Sequence, residues 1–164
     1  MGAGEGGAWV RTAAGQPQLE GIDGWFFSIS YAGDLVGVAS ARCPVGLDLE
    51  PATRRPAAML ARRFASDERA YIAAAPGGAH GRDQRFLEIW TKKESYLKWR
   101  GCGLAAGLAS FSVLQPARLG VQFWPVGASA GLMGHVCAAT VGTTAGTLAA
   151  PAAAPTAAPS SQPD

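Results

Sequence analysis

Residues 86–98 read F-L-E-I-W-T-K-K-E-S-Y-L-K. The large apolar side chains recur at helical spacing, which predicts a helix over about residues 83–99 that ends at Gly101 and packs its apolar stripe on the core. Glu94 lies four residues after Trp90 and three before Leu97, so helix geometry puts its carboxylate on or beside that stripe. A carboxylate in that position is costly unless a cation, a metal or hydrogen bonds hold it. The segment therefore predicts a functional role for Glu94.

A second acidic pair occurs in residues 45–50, V-G-L-D-L-E. Strict alternation predicts a half-buried strand that Pro51 ends, with Asp48 and Glu50 on one face about 6–7 Å apart. Gly46 on the same face is expected to leave room for a ligand. Three carboxylates with no His or Cys nearby in sequence predict an oxygen-only site for a hard cation, Mg²⁺ or Mn²⁺, rather than zinc. For Asp48 and Glu50 taken alone, the alternative is the solvent-facing side of an edge strand.

Length and composition restrict the class of protein. With 164 residues the chain is long enough for one domain with a substantial core, and its net charge of +2 is too small to indicate nucleic-acid binding. Basic residues cluster at 54–63 and 92–100, which predicts a local anion site or, as the alternative, solvated helix faces. Neither a membrane span nor a signal segment is evident. Three cysteines, none at metal-ligand spacing, predict free thiols in a reducing cytoplasm.

One folded domain is predicted, over residues 11–142. Residues 1–10 begin with a Gly-rich run and residues 143–164 are rich in Ala, Pro, Thr and Ser, so both segments are predicted to be disordered. Strands, then helices, then strands are typical of an α+β domain in which an antiparallel sheet packs against one long helix. The predicted strands are 25–31, 35–41, 45–50, 110–114, 121–124 and 136–140, and the predicted helices are 56–64, 66–72 and 83–99.

Several short motifs, taken in order, make residues 11–140 resemble a 4′-phosphopantetheinyl transferase of the surfactin-synthetase-activating type. The two most specific are G-L-D-L-E at 46–50, which matches that family's G-[IV]-D-[IV]-E, and W-T-K-K-E-S with Lys98, which matches W-[TS]-x-K-E-[AS]-x-x-K. Weaker matches are G-Q-P-Q-L at 15–19, F-S-I-S-Y-A-G at 27–33, R-F-A at 63–65 with Glu68, G-C-G-L at 101–104, and S-F-S-V at 110–113.

The resemblance implies a fold, a reaction and site residues. The fold would be a single half of the two-half transferase fold. The reaction would be transfer of 4′-phosphopantetheine from coenzyme A to a serine of an apo-acyl or peptidyl carrier protein in secondary metabolite biosynthesis, releasing 3′,5′-ADP. Mg²⁺, with Mn²⁺ as the alternative, would be held by Asp48, Glu50 and Glu94. The implied catalytic residues are Glu68, Glu94 and Lys98, and the implied coenzyme A contacts are Gln16, Ser30, Tyr31, Lys93 and Lys98.

Several positions depart from the family pattern. Tyr31 replaces the usual His, Gln16 the usual Lys, and Cys102 stands where Lys is common. The chain also starts about where the family's second half starts. It would then pair with itself as a homodimer, be a truncated form, or be a degenerate member. The alternative functions are a non-catalytic module that binds coenzyme A or a carrier protein, and an unrelated Mg²⁺-dependent nucleotide hydrolase. For Glu68, the alternative to a general base is a carboxylate favoured by the helix dipole in a first turn.

Overall fold

The strands and helices follow one another as an α+β domain, as predicted. The computed structural model describes residues 7–12, 15–55, 58–103 and 107–140. In chain order the strands are β1 (Trp9–Arg11), β2 (Pro17–Leu19), β3 (Phe26–Ala32), β4 (Leu35–Ala41), β5 (Val45–Pro51), β6 (Val121–Val126) and β7 (Leu132–Ala139). Between β5 and β6 lie the helices α1 (Ala58–Ala61), α2 (Ser66–Ala73) and α3 (Gly78–Arg100). The prediction of antiparallel sheets against one long helix is confirmed.

Two groups of strands meet along β3 and β5. β3 pairs antiparallel with β4, and β5, β7 and β6 form a three-stranded antiparallel sheet in that order. At the seam the amide of Leu47 donates to Ser28 Oγ at 2.9 Å and the amide of Leu49 donates to Ser30 Oγ at 3.0 Å. Residue numbers rise together along both strands, so β3 and β5 run in the same direction. Serine hydroxyls therefore supply the acceptors that a neighbouring backbone would supply in a continuous sheet.

β5 is the central strand, and it corrects two expectations. Every residue from Val45 to Glu50 is buried, so the strand is covered on both faces rather than half-buried. Leu47 and Leu49 join one apolar cluster with the β3–β4 hairpin, while the opposite face lies against α3. A Cβ on Gly46 would lie 1.8 Å from the Ser95 carbonyl oxygen. Gly46 therefore allows close approach of the α3 backbone and does not make room for a ligand.

α3 carries most of the helical core. It begins at Gly78, five residues before the predicted start, and ends at Gly101 as predicted, where φ is +66° and the amide donates to Lys98 O. Phe86 stacks on Phe64, with ring centroids 5.2 Å apart. The cluster packed around this pair comprises Phe64, Ile72, Phe86, Leu87, Ile89, Leu97, Leu108 and Val113.

The predicted strand at 110–114 is wrong. This segment has no strand structure because side chains from the helices take its backbone groups. The Phe111 carbonyl accepts a hydrogen bond from Lys93 Nζ at 2.6 Å, and the Val113 amide donates to Glu68 Oε1 at 2.8 Å. Those groups are therefore not available to a strand ladder, although the apolar alternation resembles a strand.

The amino-terminal hairpin of β1 and β2 was not predicted. β1 starts inside the segment 1–10 that composition predicts to be disordered, and Trp9 packs edge-on against Phe27 at 5.2 Å. The remainder of that prediction, at 1–6, and the tail at 143–164 lie outside the described residues. Within the described ranges no helix combines the length and the apolar character that a membrane span needs.

Candidate active site

Asp48 is held on the α3 side of β5 by two side chains. Its Oδ1 accepts hydrogen bonds from Lys98 Nζ at 2.8 Å and from Ser30 Oγ at 3.2 Å. Lys98 also donates to the Leu47 carbonyl at 2.9 Å, which ties the lysine to the same strand. The second oxygen, Oδ2, is buried and has no hydrogen-bond partner. Burial raises the pKa of Asp48 above its ordinary value, and Lys98 opposes that shift.

Glu50, two residues further along β5, is engaged differently. Its Oε1 accepts a hydrogen bond from Trp90 Nε1 at 2.9 Å and pairs with the guanidinium of Arg54. Trp90 also packs against the apolar cluster of α3, as the sequence predicted. The indole therefore links the core of the domain to the acidic face of β5.

Glu94 approaches Asp48 and Glu50 from α3. Its Oε1 is buried without a hydrogen-bond partner, like Asp48 Oδ2. Burial, reinforced by the negative charges of Asp48 and then Glu50, raises the pKa of Glu94 to about 7. Lys98 and Arg54 oppose this shift but do not outweigh burial, so the charge on Glu94 is only partly compensated.

The fit of these carboxylates to a metal ion is partial. In the described ranges no set of three or more His, Cys, Asp or Glu side chains is arranged to hold a metal. Glu50 is engaged by Arg54 and Trp90. Asp48 and Glu94 nevertheless each present a buried oxygen with no donor. Oxygen ligands of this kind suit a hard divalent cation. Asp48 and Glu94 therefore each offer an unpartnered oxygen, whereas Glu50 is engaged by Arg54 and Trp90.

A pocket of about 210 Å³ opens beside Glu94. Lys98, Gln16 and Tyr31 line it, together with Arg11. Gln16 Nε2 donates to the Lys98 carbonyl at 2.7 Å, which joins the β1–β2 hairpin to the last turn of α3. Tyr31 is 70% exposed and so keeps its hydroxyl accessible at the pocket. The structure thus brings together four of the predicted site residues, from three separate parts of the chain.

Ser30 lies behind the pocket rather than in it. It is buried, and its hydroxyl accepts the Leu49 amide and donates to Asp48. The predicted contact of Ser30 with coenzyme A is therefore not supported by its position. Its observed role is to orient Asp48.

Glu68 and Lys93 do not reach the pocket. Both side chains are fully buried and pair with each other at 2.9 Å. Glu68 lies in the first turn of α2 and accepts the amides of Ala65 and Val113. Lys93 Nζ donates to the carbonyls of Leu108 and Phe111. Their positions do not support the predicted base and phosphate contact, because every polar group is enclosed and satisfied; the alternative for Glu68, a first-turn carboxylate, is what the structure shows.

Two basic residues at the site were not predicted. Arg11 reaches the pocket through the β1–β2 hairpin, and no periodic pattern in the sequence indicates that hairpin. Arg54 lies four residues after Glu50, beyond the end of β5. Arg54 belongs to the basic cluster at 54–63, and the turn after Pro51, which brings it back to Glu50, is the signal in the sequence for its position.

A larger cavity, of about 1270 Å³, lies between α3 and the β6–β7 pair. Its ionisable groups satisfy one another: Lys92 pairs with Glu88 at 2.6 Å, and the Tyr71 hydroxyl donates to Glu88 at 3.0 Å. His135 is buried at its wall, with Nδ1 2.8 Å from Thr91 Oγ1, and burial lowers the pKa of His135 to about 4. The carboxylate of Glu88 at this cavity thus has its partners, unlike Asp48 Oδ2 and Glu94 Oε1 at the smaller pocket.

Comparison with known proteins identifies the family of the chain. The family model of the 4′-phosphopantetheinyl transferase superfamily matches residues 44–127, which are 84 of the 164 residues. The chain is 33% identical over 98 residues to 4′-phosphopantetheinyl transferase psf-1 of Bacillus pumilus, covering 60% of this chain and 41% of the relative. It is 32% identical over 99 residues to 4′-phosphopantetheinyl transferase Sfp of Bacillus subtilis strain 168, covering 60% and 43%.

The chain belongs to the 4′-phosphopantetheinyl transferase superfamily. The matched residues include β5 with Asp48 and Glu50 and all of α3 with Glu94 and Lys98. The chain spans about two fifths of the length of the curated relatives it matches.

Proposed function

We propose that the chain transfers the 4′-phosphopantetheine group of coenzyme A to a serine of an apo-acyl or peptidyl carrier protein. The serine hydroxyl oxygen attacks the β-phosphorus of coenzyme A, and the bond from that phosphorus to the bridging oxygen breaks. The products are the holo-carrier protein and 3′,5′-ADP, and the hydroxyl proton is released. Secondary metabolism is the proposed context.

One observation carries the proposal. Glu94 and Lys98 line the same pocket, and Asp48, bonded to Lys98, adds a carboxylate oxygen with no partner. A pyrophosphate needs cations to neutralise the charge that develops as its bond breaks. A pocket edged by a lysine and by two carboxylates that each keep an oxygen without a partner is suited to hold such a group together with a divalent cation.

Mg²⁺, or Mn²⁺ in its place, would be held by Asp48 and Glu94, with Glu50 as the third ligand. When bound, the ion would polarise the pyrophosphate oxygens and lower the charge barrier to attack. Lys98 uses two of its three donors on Asp48 and Leu47, which leaves one donor for a phosphate oxygen. Arg11, Gln16 and Tyr31 are further donors at the pocket and are proposed coenzyme A contacts.

Glu94 is the proposed acceptor of the serine proton. It borders the pocket, and with Oε1, the buried oxygen without a partner, assigned to the cation, Oε2 is the oxygen proposed to take the proton. Glu68 is enclosed by two amides and Lys93, so it is not available for this step. A carboxylate positioned within reach of the hydroxyl meets the geometric requirement for general base catalysis.

We also propose that two copies of the chain associate beside the pocket. The outer face of the β3–β4 hairpin exposes Tyr31, Val36 and Val38, and Tyr31 paired with Val36 continues into the pocket wall. Exposed apolar side chains grouped on one sheet face are typical of association surfaces. Light scattering at assay concentration is expected to give the mass of a dimer, and a monomer mass would contradict this. A reducing, cytoplasmic setting is supported by the three free cysteines.

Intact-protein mass spectrometry tests the transfer. Incubation of apo-carrier proteins with coenzyme A and Mg²⁺ is expected to add one phosphopantetheine group to the carrier. Asp48→Asn and Glu94→Gln should each lower the rate by roughly a hundredfold or more while the far-UV spectrum stays unchanged. If folded protein at high concentration modifies no carrier but still binds coenzyme A, the alternative of a non-catalytic binding module is correct.

A further inference from the structure

The acidic cluster of the site already contains two cations of its own. Lys98 pairs with Asp48 from the α3 side, and Arg54 pairs with Glu50 from the loop after β5. The positive charges of both residues also oppose the rise in the pKa of Glu94, although burial outweighs them. Arg54 is therefore close enough to act on the cluster as a whole and not on Glu50 alone.

The turn that follows β5 fixes the position of Arg54. Its amide donates to the Pro51 carbonyl at 2.9 Å, which reverses the chain. The intervening Ala52 is anchored on two sides, by its amide to the Gly131 carbonyl at 3.0 Å and by its carbonyl to Gln84 Nε2 at 3.3 Å. The guanidinium consequently points back along the strand and lies 5.9 Å from the ring centroid of Trp90. Trp90 and Arg54 hold the same oxygen of Glu50.

The two cations differ in how firmly they are held. Lys98 has a second bond to the Leu47 carbonyl and lines the pocket, so it is part of the phosphate side of the site. The Arg54 side chain is 44% exposed, whereas that of Glu50 is 12% exposed. A partly exposed arginine can move into water at small cost, while the buried carboxylate cannot follow it.

We infer that Arg54 is a built-in counter-ion that a divalent cation must displace before Glu50 can join Asp48 and Glu94 as a ligand. In accord with the inference, Glu50 is paired with Arg54 and the described residues include no three carboxylates arranged to hold a metal. Arg54 neutralises Glu50 when no metal is bound, and it lowers the apparent affinity for the metal by competing with it. The inference rests on the proposed metal site, at which Arg54 would compete with the metal for Glu50.

Titration with Mn²⁺, followed by the electron paramagnetic resonance signal of the free ion, tests the inference on the full chain. Arg54→Gln is expected to bind Mn²⁺ about three- to tenfold more tightly than the wild type, the range expected when one partly exposed charge-assisted contact is removed from competition. Arg55→Gln is the matched control, because it removes the same charge from the next, exposed residue. Its affinity should stay within about twofold of the wild type, as expected for screened surface charge.

The possible results test the role of Arg54 and the existence of the metal site separately. Equal affinity of Arg54→Gln and wild type would overturn the inference and leave the site standing. An equal gain in Arg55→Gln would also overturn it, because general electrostatics would then be the cause. Absence of Mn²⁺ binding in all three proteins would remove the site and the inference together. Adding Asp48→Asn to Arg54→Gln should abolish the tight binding, and tight binding that persists would overturn the assignment.

Discussion

Two lysines of α3 pair with carboxylates of other elements: Lys93 pairs with Glu68 of α2, and Lys98 pairs with Asp48 of β5. The two pairs lie on different sides of the helix. Lys93 and Glu94 are adjacent in sequence and are therefore about 100° apart around the helix. Lys93 points into the core and pairs with Glu68, where both side chains are fully buried and every polar atom is matched. Glu94 faces β5, near the partly exposed pair of Lys98 and Asp48, and both carboxylates keep an oxygen without a partner.

The difference shows how one short motif can serve structure and chemistry at once. The closed pair of Glu68 and Lys93 fixes the irregular segment 107–114 onto the helices through the carbonyls of Leu108 and Phe111. The open group of Asp48, Glu94 and Lys98 retains unsatisfied charge beside a pocket. Unsatisfied buried polar atoms are rare because they are costly, so the two unpartnered carboxylate oxygens support the proposal that this group binds a partner from outside.

Breaking the closed pair should have the largest effect. Lys93→Met leaves Glu68 buried without its cation and is expected to lower the free energy of unfolding by about 3–5 kcal/mol. Urea denaturation measures this directly. Lys92→Met is the matched control, since Lys92 forms a partly exposed i,i+4 pair with Glu88 on the same helix, and its loss should cost about 1 kcal/mol or less. A similar loss in both variants would show that the closed pair is not the structural anchor described above.

The open group is expected to make the free energy of unfolding depend on pH. Burial raises the pKa of Glu94 from its ordinary 4.5 to about 7, so the folded state binds a proton more strongly than the unfolded state. The resulting stabilisation is present below pH 4.5 and is lost as pH rises to about 7. Without divalent metal at pH 8, Glu94→Gln should therefore be more stable than wild type by about 1–2 kcal/mol, a value reduced for partial exposure to solvent. Identical pH profiles for the two proteins would contradict an uncompensated Glu94.

Lys98 should show the smallest effect on stability and a clear effect on transfer. Its side chain is 32% exposed, so Lys98→Met is expected to cost about 1 kcal/mol or less in unfolding free energy. The loss of a cation beside the pyrophosphate should lower the transfer rate by roughly tenfold or more. A loss of stability as large as that of Lys93→Met, with unchanged transfer, would reverse the proposed roles of the two lysines.

Periodicity predicted the elements that carry the acidic group. Alternation located β5, and helical spacing located α3 and its end at Gly101, so Asp48, Glu50 and Glu94 were placed on facing elements. Both patterns reflect local geometry, which a single sequence records well. The order of strands and helices also sufficed for the α+β class.

Long-range partners could not be predicted in the same way. The strand expected at 110–114 is absent because Lys93 and Glu68, distant in sequence, bind its backbone. Gly46 appeared to be a ligand gap, but the carbonyl of Ser95 in α3 occupies that space. Arg11 reached the pocket through a hairpin of two three-residue strands, too short to give a periodic signal. Each of these depends on which side chain meets which backbone, and sequence spacing does not contain that information.

The most direct test of the open site is a crystal structure of the protein with Mn²⁺ and coenzyme A, with anomalous scattering used to locate the metal. We predict an anomalous peak between the carboxylates of Asp48 and Glu94, with a phosphate of coenzyme A on Lys98 and Arg54 withdrawn from Glu50. No peak at Asp48 and Glu94, or a peak at Glu88 beside the larger cavity, would contradict the assignment of this group as the metal and substrate site.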